Sequence, residues 1–106
     1  MNEQTYAYFF AKGVVVDMSG NIVFADGRRL RKIIKSNGTI ITIAGRPQIN
    51  EWKPPTECQM EALSTSLQWP TTLTINPIDE SIYFLDGEEI LTYKMGAIYR
   101  LTSCYS

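Results

Sequence analysis

Two stretches sixty residues apart repeat one pattern. The first reads Gly20-Asn21-Ile22-Val23-Phe24-Ala25-Asp26-Gly27, the second Ser81-Ile82-Tyr83-Phe84-Leu85-Asp86-Gly87. Ile22 aligns with Ile82, Phe24 with Phe84, Asp26 with Asp86 and Gly27 with Gly87. Each run alternates apolar with small or polar positions, as strands do, and stops at Asp-Gly, a hairpin signal. Self-similarity at a period of about 20–50 residues marks solenoids, propellers or arrays. Two units of roughly 35–40 residues, with about 20 between them, match the length of a four-stranded propeller blade. Two blades do not close a ring.

The neighbouring residues extend each copy to four strands. Residues 1–12 form an aromatic lead-in with weak alternation, read as irregular or partly helical. Gly13-Val14-Val15-Val16-Asp17 is a β-branched strand, and Met18-Ser19-Gly20-Asn21 is turn chemistry. The second strand ends at Asp26, and residues 29–35 make the third. Asn37-Gly38 signals a type I′ hairpin, and residues 39–44 make the fourth strand, closing a first blade over 13–45. Residues 46–69 break the pattern with Pro47, Pro54 and Pro55. Within this insertion, residues 57–67 have the spacing of a short helix with Met60, Leu63 and Leu67 on one face. A second blade follows over 70–104, with strands at 72–76, 81–86, 89–94 and 97–101. Its first turn is one residue longer than in the first copy. The expected class is all-β: two four-stranded antiparallel blades of an incomplete propeller.

Composition removes whole classes of function. The chain has 106 residues, 44% hydrophobic, and a net charge of −1, which suits one modest core and supplies no basic field for nucleic acid. It has no histidine, so imidazole acid–base catalysis, His-activated nucleophiles and most zinc sites are out of reach. No apolar run approaches membrane-spanning length. The first residues lack the charged and apolar regions of a signal peptide.

The candidate sites are few. Asp17, Asp26 and Asp86 stand at strand ends, where calcium ligation competes with the simpler role of a turn carboxylate. Their spacing favours the turn. Arg28, Arg29, Arg31, Lys32 and Lys35 form a basic cluster without interleaved aromatics, so a solvated strand face is preferred to an RNA site. Asn37-Gly38-Thr39 is both a glycosylation sequon and a hairpin. Trp69, before Pro70, is expected to pack between the blades, and Trp52 is a weaker candidate for an exposed anchor. Cys58 and Cys104 either pair or remain two free thiols.

The run from Gly13 to Gly45 resembles an NHL repeat. Ala25-Asp26-Gly27, Leu30-Arg31-Lys32, Gly38-Thr39-Ile40-Ile41-Thr42 and Gly45-Arg46-Pro47 resemble, more narrowly, the teneurin NHL propeller. So does the stretch from Cys58 through Leu67-Gln68-Trp69-Pro70-Thr71 to Ile75-Asn76-Pro77 and Ser81-Ile82-Tyr83-Phe84-Leu85-Asp86. The likeness covers about residues 11–104 and departs after Leu101, at Thr102-Ser103-Cys104. It implies a six-bladed propeller in the extracellular part of a type II membrane protein acting in cell–cell adhesion and neuronal wiring. This chain would be a fragment, or a truncated product, supplying about two blades. In such propellers cysteines sit at comparable places between blades. A Cys58–Cys104 disulfide would staple the insertion to the end of the second blade and contribute about 3–4 kcal/mol.

The resemblance implies protein partners, homophilic or a cell-surface receptor, with no cofactor and no nucleic acid. A catalytic propeller remnant and an RNA-binding propeller are the alternatives. Two blades alone leave an apolar face at each end, so self-association is expected.

Overall fold

The computed structural model describes residues 13–46 and 57–104. They form two antiparallel sheets. The first contains β1 (Val14–Val16), β2 (Ile22–Asp26), β3 (Arg29–Ile33) and β4 (Ile40–Ala44) in the order β1-β2-β3-β4. The second contains β5 (Gln59–Glu61), β6 (Pro70–Ile75), β7 (Ile82–Asp86), β8 (Glu89–Lys94) and β9 (Ala97–Arg100) in the order β5-β9-β8-β7-β6. Each sheet is a meander of the blade type, so the all-β expectation holds. The lead-in, Trp52 and the prolines of the insertion lie outside the described residues.

The repeat is visible in the turns. Asp26 pairs with Arg29, and Asp86 with Glu89, across two-residue loops. Gly27 and Gly87 take φ of +61° and +65° there, while the residue after each has no positive φ, the pattern of a type II′ hairpin. The β1–β2 loop is closed by Asp17 N–H donating to the Asn21 carbonyl at 2.9 Å, the β6–β7 loop by Asn76 N–H donating to Ser81 at 2.8 Å. The second loop is one residue longer, as expected. Gly20 in one and Glu80 in the other, both just before β2 or β7, have positive φ (+85° and +61°).

Three details differ from the sequence reading. Asn37-Gly38 is not a two-residue type I′ turn. The loop spans residues 35–38, with Ile34 N–H donating to the Thr39 carbonyl at 2.8 Å and Gly38 N–H to Ile34 at 2.7 Å, and Gly38 alone takes positive φ (+73°). The insertion is more β than helical. Gln59–Glu61 joins the second sheet as a fifth strand beside β9, leaving one 3-10 turn, Ala62–Ser64, as the short helical element. Finally, β6 does not alternate strictly. Its register slips between Thr71 and Thr74, and Thr72 sits at φ +56°. This bulge lets Leu73, 3% exposed, turn into the core.

The sheets stack face to face, and one core lies between them. The first blade supplies Val23, Leu30 and Ala44, and the second supplies Ile82, Phe84, Leu91 and Ile98, with Ala62 and Leu67 from the insertion. Burying a Leu or Phe side chain contributes about 1.5–3 kcal/mol, so this shared core is the main cohesion between blades. The 3-10 turn seals one margin. Gly45 N–H donates to the Ala62 carbonyl at 2.9 Å and Arg46 N–H to Thr65 at 3.1 Å. Gly45, at φ +100°, packs so closely on the Arg28 carbonyl that a side chain has no room.

Cys58 and Cys104 form a disulfide with Cα atoms 5.7 Å apart, across 46 residues. It ties the start of β5 to α1 (Leu101–Cys104), a single turn after β9. Arg100 N–H donating to the Cys58 carbonyl at 2.9 Å continues the same staple.

Candidate functional site

The strand-end aspartates do not converge. Asp17 lies at one end of β2 and Asp26 at the other, so they belong to different ends of the blade. Among the described residues no group of three or more His, Cys, Asp or Glu is placed to hold a metal.

Asp17 behaves as a turn carboxylate. Its Oδ1 accepts from the backbone N–H of Ser19 at 3.0 Å and Asn21 at 2.9 Å, and its Oδ2 accepts from Asn21 Nδ2 at 3.1 Å. Lys32 Nζ lies 3.3 Å away. Burial pushes this carboxyl up, but the Asn21 hydrogen bonds and Lys32 together hold it below the usual range.

Asp26 and Asp86 occupy the same repeat position with different chemistry. Asp26 is half-exposed and pairs with Arg29 at 3.3 Å and Arg31 at 3.5 Å. Asp86 is buried and accepts from Gln68 N–H at 2.9 Å and Trp69 N–H at 2.6 Å. Burial raises the Asp86 carboxyl, the two backbone donors lower it, and Glu89 adds to the rise; the net direction is upward. Asp86 therefore clamps the entry to β6. This explains why Trp69 does not fill the space between blades. Leu67 and Pro70 take the inward positions, the clamp fixes the backbone between them, and the indole is left 63% exposed.

The basic cluster is largely neutralised within its own blade. Arg29 and Arg31 are held by Asp26, and Lys32 by Asp17. Asn37 stands on the exposed 35–38 loop, its Oδ1 accepting from Thr39 N–H at 2.9 Å.

Two concavities accompany the stack. One, of about 230 Å³, lies between the blades and is lined by Asp17, Lys32, Ile75, Asp79, Tyr93 and Lys94, among others. Its lysines face their own partners, Lys32 on Asp17 and Lys94 on Asp79 at 3.4 Å. Glu80, also in its lining, links the two blades, its Oε1 accepting from Met18 N–H at 2.7 Å. The other, of about 390 Å³, is a shallow groove on the outward face of the second blade, lined by Ser81, Tyr83, Thr92, Tyr99 and Leu101 together with the Asp79–Lys94 pair.

The outward faces are the surfaces with no covering sheet among the described residues. Val23 of the first blade is 2% exposed, whereas Tyr83, its repeat counterpart, is 36% exposed. Ile82 is 3% exposed and its counterpart Ile22 is 37% exposed. Leu30 is fully buried and its counterpart Ile90 is 38% exposed. Each of these three pairs has one member in the core and one at the surface. Similarity between the copies does not separate the two sets. Comparing the copies position by position, rather than for similarity alone, carries the signal.

A family model, that of the teneurin NHL domain, matches residues 4–98. Over 81 residues the chain is 41% identical to teneurin-3 of Mus musculus, 42% identical to teneurin-3 of Danio rerio and 40% identical to teneurin-1 of Gallus gallus. Each alignment takes in 76% of this chain and 3% of the relative. The chain thus spans about 3% of the length of the curated relatives it matches.

Proposed function

Because this chain belongs to the teneurin NHL domain family, we propose that it is a non-catalytic protein-interaction module working through its outward blade faces. The carrying observation is that Ile22, Tyr83 and Ile90 stand exposed on the outer faces at the repeat positions of the buried Ile82, Val23 and Leu30. In the parent protein these blades would serve cell adhesion and neuronal cell–cell recognition, in the extracellular part of a membrane protein. The partners would be a cell-surface receptor or the same propeller on a facing cell. The Cys58–Cys104 disulfide suits an oxidising compartment. No helix among the described residues is long and apolar enough to cross a membrane.

An RNA-binding reading has little support, since Arg29, Arg31 and Lys32 are already ion-paired. Biolayer interferometry of the immobilised chain tests the proposal. Saturable binding to cell-surface receptor ectodomains or to the chain itself, reduced by Tyr83→Lys or Ile22→Lys, is expected. Saturable binding to single-stranded RNA without any protein binding would overturn it.

A further inference from the structure

The three most exposed large hydrophobic side chains among the described residues are Met18, Ile78 and Met95, the last two 92% exposed. They lie in three different turns, where polar residues are the rule. The turns share one end of the blade pair. Glu80 of the β6–β7 turn accepts from Met18 N–H in the β1–β2 turn. Lys94, beside Met95, pairs with Asp79 of the β6–β7 turn at 3.4 Å. A further blade would cover a sheet face rather than these tips, so their exposure does not depend on what flanks the pair.

The interblade cavity reaches this end, since Asp79, Glu80 and Met95 are in its lining. Its deeper wall is apolar, with Val23, Ile43, Ile75 and Ile82. Its volume is about 230 Å³. Sites for drug-sized ligands run to about 300–1,000 Å³, so this one suits a single side chain better than a whole small molecule.

The charges of the lining do not balance. Lys32 lies on Asp17 and Lys94 on Asp79. The third carboxylate, Glu80, takes a neutral backbone donor, so the cavity's own lysines leave its charge uncompensated. Two residues here are also held where glycine is at home. Glu80 and Met95 have φ of +61° and +49°, and the repeat counterpart of Glu80 is Gly20. Non-glycine residues in this region gather at ligand clamps and other functional sites. Met is likewise enriched at interfaces.

We propose that this turn end is a docking site for a peptide segment of a partner protein, separate from the outer blade faces. One aliphatic or aromatic side chain of the partner enters the cavity under Met95. A neighbouring lysine or arginine meets Glu80, and Met18 and Ile78 cover the flanks.

Methionine-methyl NMR of the full, disulfide-bonded chain tests this. The probe is a short synthetic peptide with a central leucine–arginine pair; the comparison peptide carries leucine–glutamate. Saturable shifts of the Met18 and Met95 methyls are expected at millimolar peptide. The arginine peptide is expected to bind about two- to fivefold more tightly, the value of one exposed ion pair. Met95→Gly suits the positive φ, so it is expected to fold normally. It should weaken binding about tenfold, the loss of one apolar contact, and Ile78→Ser gives the same direction from a second site. Glu80→Gln keeps an acceptor for Met18 N–H and should erase the preference for arginine. Ile22→Lys, on an outer face, should bind as the wild type does. No saturable shift, equal affinity for the two peptides, or unchanged binding by both Met95→Gly and Ile78→Ser would overturn the proposal. So would loss of binding in Ile22→Lys, or shifts caused by phosphatidylcholine vesicles and not by either peptide. Failure of receptor ectodomains to bind the outer faces would leave this site standing.

Discussion

Asp86→Ala is the sharpest perturbation of the second blade. The variant removes a buried acceptor from the backbone N–H groups of Gln68 (2.9 Å) and Trp69 (2.6 Å). A hydrogen bond to a charged group contributes about 1.5–3 kcal/mol, and an orphaned buried donor loses a similar amount. Gln68 and Trp69 are themselves exposed, so water recovers part of the loss. Removing a desolvated carboxylate returns a further part. The expected net destabilisation is about 2–3 kcal/mol, a large share of the 5–15 kcal/mol typical of a domain. The control is the repeat counterpart. Asp26→Ala deletes half-exposed ion pairs to Arg29 and Arg31, and exposed pairs contribute about 0–1 kcal/mol. Urea unfolding at neutral pH, with the disulfide intact and equal m-values, measures both. Equal losses for the two aspartates, or a loss below about 0.5 kcal/mol at Asp86, would refute the clamp.

Three further outcomes follow from the same contacts. Cys104→Ser opens a loop of 46 residues and is expected to cost about 4 kcal/mol in the chain-entropy account, read as a lower urea midpoint; an unchanged midpoint would remove the staple from the account. For pH, the Asp86 carboxyl is raised in the fold above 3.8. The native state then binds the proton more tightly than the unfolded chain, and stability falls as pH rises through the window just above 3.8. Asp17 and Asp79 are lowered, so their contribution is present at neutral pH and lost as pH drops below 3.8. Asp86→Asn should therefore be tolerated better at pH 7 than at pH 4, and the reverse order in urea titrations would contradict the assignment. Finally, we propose that Asn37 carries an N-linked glycan when the chain passes through a secretory pathway. Its sequon loop is exposed and projects from a blade end rather than a face. A mass shift removed by peptide-N-glycosidase and absent from Thr39→Ala is expected; an unmodified, secreted, disulfide-bonded chain would contradict it.

How far the fold was legible depended on the range of the forces involved. The β2–β3 and β7–β8 hairpins were readable because Asp-Gly and local alternation decide them within a few residues. The longer β6–β7 loop was readable from its own turn chemistry, Pro77 and Asp79. The strand Gln59–Glu61 was not, because Gln-Met-Glu has no strand pattern of its own. It pairs with β9 through the neighbouring disulfide and the Arg100–Cys58 hydrogen bond, contacts some forty residues apart. Trp69 was misplaced for a similar reason. Its size argues for burial, but the distant Asp86 carboxylate fixes the backbone so that Leu67 and Pro70 point inward. At the candidate site the repeat identified the aligned aspartates, yet Asp26 became an ion-pair partner and Asp86 a clamp. The difference lies in burial and in the Arg29 and Arg31 neighbours, which similarity between the copies conceals.

The two repeat units cohere through one shared core. Val23 and Ile82 line the same interblade cavity and are 2% and 3% exposed. A double-mutant cycle of Val23→Ala and Ile82→Ala, read by urea unfolding, tests it most directly. Residues that share a cavity couple by about 0.5–3 kcal/mol, and a coupling of at least about 0.5 kcal/mol is predicted here. Losses that simply add, within about 0.3 kcal/mol, would mean that the blades do not share a core, and the account would fail.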